Sequence, residues 1–265
     1  LESAKVYTGN GIKTYLFDEL RPVPVLSFAV RHFNTAVGIM VTASHNPKEY
    51  NGYKVYGEDG AQLSLEGSEI VLDEISKIKD MSSIALMEKE EAVEKGLLKV
   101  VGVEIEDAFV SEIKKQCINT ELVKEIGRTM KIVYTPLHGT GNKPVRKVLK
   151  EIGFENVIVV KEQEKPDSNF STVKSPNPED KDALTMAIEL AAKENSDLVI
   201  GTDPDCDRVG IAVRNKSGEY VVFTGNQTGC LLLEYMLSQK KANGTLPANG
   251  FVAKTIVSSE LSRKI

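Results

Sequence analysis

The chain has 265 residues, 41% hydrophobic and 27% charged, with a formal net charge of −5. That length accommodates two ordinary domains with their own cores, and the balance is that of a soluble globular chain rather than a disordered or fibrous one. The acidic surplus counts against a nucleic-acid binder, and the densest apolar run, 231–237, is far too short to cross a bilayer.

Cys117, Cys206 and Cys230 are odd in number and widely separated, so they offer neither a disulfide framework nor a zinc pattern. A reducing cytoplasmic setting follows as the expectation. No signal peptide opens the chain, whose first residue is Leu1, and the sequence stops at Ile265 just as a helix begins. It therefore reads as an excised piece of a longer protein.

In chain order, 36–43 and 53–57 read as strands flanking a polar loop. Ile70, Val71, Ile75 and Ile78 have the spacing of a helix over 66–79. A charge-rich stretch at 87–95 and an apolar run at 97–103 follow, with a domain boundary near 103–106. Ile105, Ala108, Phe109, Ile113, Ile118, Leu122 and Ile126 fit one or two helices with a break at Asn119. An alternation comes next: strand 131–135, helix 143–152, strand 157–160, helix 178–193, then strands 198–202, 209–213 and 220–223. Gly153 stands where the first of these helices needs a C-terminal cap. A helix at 226–240 and a strand at 251–257 open a further unit. The reading is α/β: consecutive α/β domains with mixed, largely parallel sheets flanked by helices, divided at 1–104, 105–223 and 224–265. Residues 163–180 hold three prolines and few apolar residues, which marks a long loop of the kind that is often functional.

Two loops carry chemistry. The first is TASHNP at 42–47, where an apolar strand turns polar at once. Ser44 beside His45 suggests a nucleophile and its base, but adjacent side chains on an extended segment point to opposite faces. Ser44 could equally be a turn residue, since Ser, Asn and Pro dominate turns. The second is GTDPDCDR at 201–208. Asp203, Asp205 and Asp207 alternate after an apolar strand and can converge in a turn, where like charges repel unless a cation compensates. Oxygen ligands at this density suit Mg2+ or Ca2+ rather than zinc. With Asp203 as position 1 of an EF-hand, the sixth and twelfth positions would be Arg208 and Arg214 instead of Gly and Glu, so that reading fails. A phosphatase with Asp203 as nucleophile expects a small hydroxyl residue where Arg208 stands. A solvated acidic turn stays open. Arg208 can meet a phosphate through two parallel hydrogen bonds, so the loop predicts a phosphate partner. A phosphorylated Ser44 could supply the charge that completes a Mg2+ site. His45 and Lys54 also have bland readings, as a satisfied loop histidine and a solvated strand lysine. His138, in LHGTGN, reads as structural, with Gly139 and Gly141 serving a tight turn.

TASHNP followed by NGYK, with DPDCDR far downstream, resembles the α-D-phosphohexomutase superfamily of phosphoglucomutases and phosphomannomutases. The longer stretch GIMVTASHNPKEYNGYKVYGEDGAQL, with YTPLHGTG, PDSNFSTVKSPNPE and AKTIVSSEL, is most similar to the phosphoglucomutase branch that includes phosphopentomutases. The resemblance implies a phosphoserine at Ser44 that hands its phosphoryl group to a sugar monophosphate through a bisphosphate intermediate. It implies Mg2+ on Asp203, Asp205 and Asp207, which also reaches the Ser44 phosphate. Arg208 and Asn46 would contact phosphate, His45 the reacting region, and Lys54 would move a proton or stabilise charge. Cys206 replaces the commoner Ala and is expected to point away from the metal. The family's phosphate-binding arginine loop, sugar-reading loop and fourth domain are not recognised here, so the expected fragment keeps donor and metal but is inactive alone. The alternative is a non-catalytic metal-binding domain, regulatory or structural. Ser44 Oγ is expected roughly 4–8 Å from the acid loop, a phosphate plus a metal away.

Overall fold

The computed structural model describes residues 1–256 and 258–265. The chain divides into two units, one of residues 1–41 with 53–109 and one of residues 42–52 with 110–265.

In the first unit the elements are α1 (Glu2–Gly9), β1 (Thr14–Phe17), α2 (Val23–His32), β2 (Val37–Thr42), β3 (Gly52–Gly57), α3 (Leu65–Lys77), α4 (Lys89–Glu94), β4 (Leu98–Val101) and the first half of α5 (Val103–Lys114). β1 and β4 pair in parallel from Thr14 opposite Leu98 to Phe17 opposite Val101, and β2 pairs with β3. Pro24 lies in the first turn of α2, where its missing N–H costs no hydrogen bond. α2 buries Val23, Val25, Leu26, Ala29 and Val30, one face at helical spacing. Leu26 and Val23 meet Tyr56, Phe17 and Met40. A Cβ on Gly38 would lie 2.5 Å from Val30 Cγ2, so glycine is what lets α2 sit this close to β2. α3 is capped by Ser64, which accepts from Gly67 N–H at 3.1 Å, yet buries none of its residues. The helix expected from Ile70, Val71 and Ile75 is present with its apolar side uncovered.

A buried arginine ties this unit together. The Arg21 guanidinium lies 3.1 Å from Asp18, 3.0 Å from Glu19 and 3.1 Å from Glu106 on α5. Arg21 and Glu106 are both buried, whereas Asp18 and Glu19 are half-exposed. Buried charge tolerates only paired partners.

The second unit holds the rest of α5, then α6 (Thr120–Ile126), β5 (Lys131–Thr135), α7 (Asn142–Ile152), β6 (Asn156–Val159), α8 (Thr185–Glu194), β7 (Leu198–Thr202), β8 (Val209–Arg214), β9 (Tyr220–Phe223) and α9 (Gly225–Ala242). Five strands form one sheet in the order β6-β5-β7-β8-β9. β5 is parallel to both β6 and β7, while β7-β8 and β8-β9 are antiparallel. Val133, Val160, Ala187, Ala191, Val199 and Ala212 make the core between sheet and α8. Gly153 ends α7 at φ 122°, as its cap position predicts. The chain leaves β5 through α7 to β6 on one side, then crosses to β7 on the other. The carboxyl ends of β5 and β7 are therefore a topological switch point, where open α/β sheets place their ligands.

Three expectations are corrected. The helix expected over 178–193 begins at Thr185, because 177–185 runs as successive i→i+3 turns. A Cβ on Gly210 would lie within bonding range of the Pro178 carbonyl, so β8 and this segment are in close contact. The strand expected at 251–257 does not form over 251–256, where Phe251 and Ile256 are almost fully exposed and, among the described residues, no neighbouring strand satisfies the backbone; Val257 lies outside the described residues. The helix starting after it is a short 3-10 turn at Glu260–Arg263. The break near Asn119 is real, and the Asn119 amide donates to Tyr235 Oη and Gln239 Oε1 on α9 rather than capping α6.

Arg21→Ala leaves Glu106 buried without its cation. It is expected to cost about 3–5 kcal/mol of stability, read as a lowered urea midpoint at unchanged slope. A midpoint shift within error would show that the cluster is not a stabilising centre.

Candidate active site

The acid loop follows β7. Asp203 and Asp205 are buried and Asp207 is exposed, and one carboxylate oxygen from each comes within 4.8 Å of the others. The convergence has a backbone cause. Cys206 N–H donates to the Asp203 carbonyl at 3.0 Å, and Cys206 sits in the left-handed region at φ 56°, so the turn doubles back. Asp203 Oδ1 then accepts from the N–H of Asp207 at 3.1 Å and of Arg208 at 3.0 Å. Burial, followed by the hydrogen bond and charge shared with Asp205, pushes the Asp203 carboxyl up to about 8 against the opposing Arg208 N–H. Three converging carboxylates, two of them buried, have the donor set of a hard divalent cation site. The Cys206 thiol is pushed up to about 12, chiefly by burial. A Cβ on Gly141 would lie within 2.9 Å of Tyr134 Oη, Thr202 Oγ1 and Cys206 Sγ, so the thiol sits among these groups.

Ser44 belongs to the same unit, in the 42–52 segment. It is buried and left-handed at φ 54°. Its N–H donates to Thr42 Oγ1 at 2.8 Å, which helps to hold a conformation that costs a non-glycine residue about 1–3 kcal/mol. Ser44 Oγ lies 3.2 Å from Asp205 Oδ1, 3.4 Å from Asp203 Oδ2 and 3.4 Å from His45 Nδ1. The neighbours in sequence thus share a side. The expectation that they face apart held for extended backbone, and the left-handed turn removes that premise. The expected separation of 4–8 Å from the acid loop is corrected as well, since the hydroxyl donates to the carboxylates directly.

The turn after β5 backs the acid loop. The N–H and Oγ1 of Thr140 both donate to the Pro204 carbonyl, at 2.8 and 2.9 Å. A Cβ on Gly139 would lie 2.4 Å from Pro204 Cα. Leu137 and His138 are left-handed at φ 45° and 63°, which compresses this turn. Both His138 ring nitrogens are bonded, Nδ1 to the Lys165 carbonyl at 3.1 Å and Nε2 to Thr172 Oγ1 at 2.8 Å.

Of the residues singled out by sequence, Ser44, His45, Asp203 and Asp205 meet by hydrogen bonding, with Asp207 in the acid cluster. Arg208 joins through its backbone, and its guanidinium lies 3.8 Å from Glu179. Asn46 N–H closes a turn on Ala43 at 3.1 Å. Lys54 falls on β3 in the first unit. Thr140 and Ser175 were not singled out. Thr140 had a signal, since a hydroxyl between two glycines in a strand-to-helix turn is placed for close approach to another loop.

Residues 2–82 match the phosphoglucomutase/phosphomannomutase family, alpha/beta/alpha domain I, and residues 107–218 match domain II of the same family. A Staphylococcus haemolyticus phosphoglucomutase is 40% identical over 262 residues, covering 98% of this chain and 46% of that protein. A Staphylococcus aureus phosphoglucomutase is 41% identical over 263 residues, covering 99% and 46%. Among solved structures, a candidate phosphomannomutase from Thermus thermophilus superposes with a TM-score of 0.67 at 25% identity, over 87% of this chain and 48% of that one. A Burkholderia thailandensis family protein shares the fold, with a TM-score of 0.58 at 20% identity over 83% and 43%. The chain belongs to the phosphoglucomutase/phosphomannomutase family, and it spans about half the length of the relatives it matches.

Two outcomes test this geometry. The Asp203 carboxyl is raised from 3.8 to about 8 on folding, so its proton stabilises the folded state fully below pH 4 and is lost as the pH rises through 8. The thermal midpoint of the metal-free chain should fall across that window, and millimolar Mg2+ should flatten the fall. A midpoint indifferent to both pH and Mg2+ would contradict the cluster. Gly139→Ala forces the Pro204 backbone away, and Mn2+ affinity measured by titration calorimetry should drop about 10- to 100-fold. Wild-type affinity in that variant would rule out the turn as a support.

Proposed function

We propose that the protein to which this chain belongs is a Mg2+-dependent sugar-phosphate mutase that works through a phosphorylated Ser44. It moves phosphate between the 1- and 6-positions of a hexose monophosphate by way of a bound bisphosphate. The observation that carries this reading is the buried Ser44 hydroxyl set 3.2 Å from Asp205 and 3.4 Å from Asp203. A turn role alone does not require the hydroxyl to face two buried acids.

In the proposed reaction Ser44 Oγ bonds to phosphorus as the sugar oxygen leaves. The serine proton passes to His45 Nδ1, within reach, and the departing sugar oxygen takes up a proton in turn. In the reverse sense the phosphoserine gives its phosphoryl group to a sugar hydroxyl, whose proton must be taken up; Lys54 is assigned to that transfer or to charge stabilisation. Asp203, Asp205 and Asp207 would hold Mg2+, which neutralises charge on the transferring group. Without a cation, a phosphate dianion on Ser44 would face two buried carboxylates. Arg208 and Asn46 are assigned to phosphate contact. The 265-residue chain alone is read as inactive in turnover. The three unpaired cysteines accord with a reducing cytoplasmic setting.

The test uses the full-length protein. After exposure to glucose 1,6-bisphosphate and Mg2+, peptide mass spectrometry should find phosphate on Ser44, and Ser44→Ala should lower the mutase rate by about a thousandfold or more. Phosphate on another residue, or an unchanged rate in that variant, would favour the second reading of a metal-binding domain without catalysis. A panel of hexose and pentose 1-phosphates assigns the sugar.

A further inference from the structure

The long loop at 163–178 is built as a brace. At its start, buried Gln163 accepts from Thr135 Oγ1 at 2.6 Å and donates to Thr172 Oγ1 at 3.0 Å. His138 bonds the Lys165 carbonyl and the same Thr172 hydroxyl. Asp167 accepts from the N–H of Asn169 and of Ser171, each at 2.9 Å. At its end, Pro176 and Pro178 are buried, with the Pro178 carbonyl packed against Gly210. Between these anchors Ser175 Oγ donates to the carbonyl of His45 at 2.8 Å, across 130 positions.

That carbonyl belongs to the residue after the left-handed Ser44. The loop's own bonds are local: Ser44 N–H to Thr42, Asn46 N–H to Ala43, Tyr50 N–H to Pro47 and Gly52 N–H to Asn51. The His45 carbonyl shares its peptide plane with Asn46 N–H, which the loop's own turn on Ala43 holds, so that peptide moves with the loop. A donor fixed from outside the loop restrains it.

We propose that Ser175 is a positioning residue, and that the braced 163–178 loop uses its hydroxyl to lock the His45 peptide and so aim Ser44 Oγ at the acid loop. Its effect on phosphoryl transfer rests on the function proposed above; its effect on loop order does not. The hydroxyl bonds the His45 carbonyl rather than Ser44 Oγ or a carboxylate of the acid loop, and so acts through the backbone.

The experiment compares full-length wild type, Ser175→Ala and Ser175→Thr by hydrogen–deuterium exchange, Mn2+ titration and steady-state kinetics. In Ser175→Ala, deuterium uptake should rise across 42–50 and stay unchanged in β5 and β7, with Mn2+ affinity kept. kcat should fall about 10- to 100-fold with KM within about twofold, the size expected for a misaimed group. Ser175→Thr keeps the donor and should restore both readouts. Thr172→Val removes the hydroxyl that accepts from Gln163 and bonds His138 Nε2, and should raise uptake at the same 42–50 residues even where Ser175→Ala folds poorly. Wild-type uptake at 42–50 in Ser175→Ala, or equal uptake gains throughout the sheet, would overturn the proposal. If wild-type Ser44 takes no phosphate while Ser175→Ala still loosens 42–50, the mutase reading fails and the brace stands.

Discussion

Three carboxylates held on one short turn are the constraint that organises the second unit. Two of them are buried, and burial removes the water that would otherwise screen their repulsion. Such a turn persists only with compensation. The backbone N–H groups of Asp207 and Arg208 supply part on Asp203, and burial with the charge of Asp205 raises the Asp203 carboxyl's hold on its proton. The surrounding structure follows from this need. β7 delivers the turn at the carboxyl edge of the sheet, the β5 turn backs it through Thr140, and glycines stand where side chains would push the two loops apart.

Four left-handed residues meet at the same place. Ser44, Leu137, His138 and Cys206 are all left-handed non-glycine residues, and all lie in the acid loop or the loops that touch it. Left-handed backbone reverses the usual alternation of side chains, which is how adjacent Ser44 and His45 share a side and how alternate aspartates converge. Each such residue needs neighbours that over-determine it. The hydrogen bonds from Ser44 N–H to Thr42, from Cys206 N–H to Asp203 and from His138 N–H to Gln163 do this locally.

The second unit was largely legible in the sequence because its strands are short apolar runs separated by amphipathic helices. β5, β7 and β9 fall where the pattern puts them, and α7 differs by one residue at its start. The 251–256 segment misled because apolar and β-branched residues indicate a strand only where a sheet edge receives it. The acid trio was legible because like charges at alternate positions after a strand have few other uses. The direct approach of Ser44 to that trio was not, since it depends on the sign of φ at a serine, which no sequence pattern marks. Ser175 was equally hidden, because one hydroxyl in a proline-rich loop looks like any other turn residue until its partner 130 positions away is placed. His138 read as structural, and two satisfied ring nitrogens explain why: it fastens the brace.

Arg208 shows how one residue serves both the scaffold and the proposed chemistry. Its N–H is committed to Asp203 at 3.0 Å, which fixes where its side chain starts. Its guanidinium is separately placed, 3.8 Å from Glu179 with both side chains substantially exposed. An exposed pair at that distance is worth no more than about 1 kcal/mol. A phosphate offers the same guanidinium two parallel charge-assisted hydrogen bonds, a stronger and more directional interaction. In the function proposed above, Arg208 would meet phosphate with its guanidinium while its backbone N–H stays bonded to Asp203, so the two roles fall on different atoms of one residue.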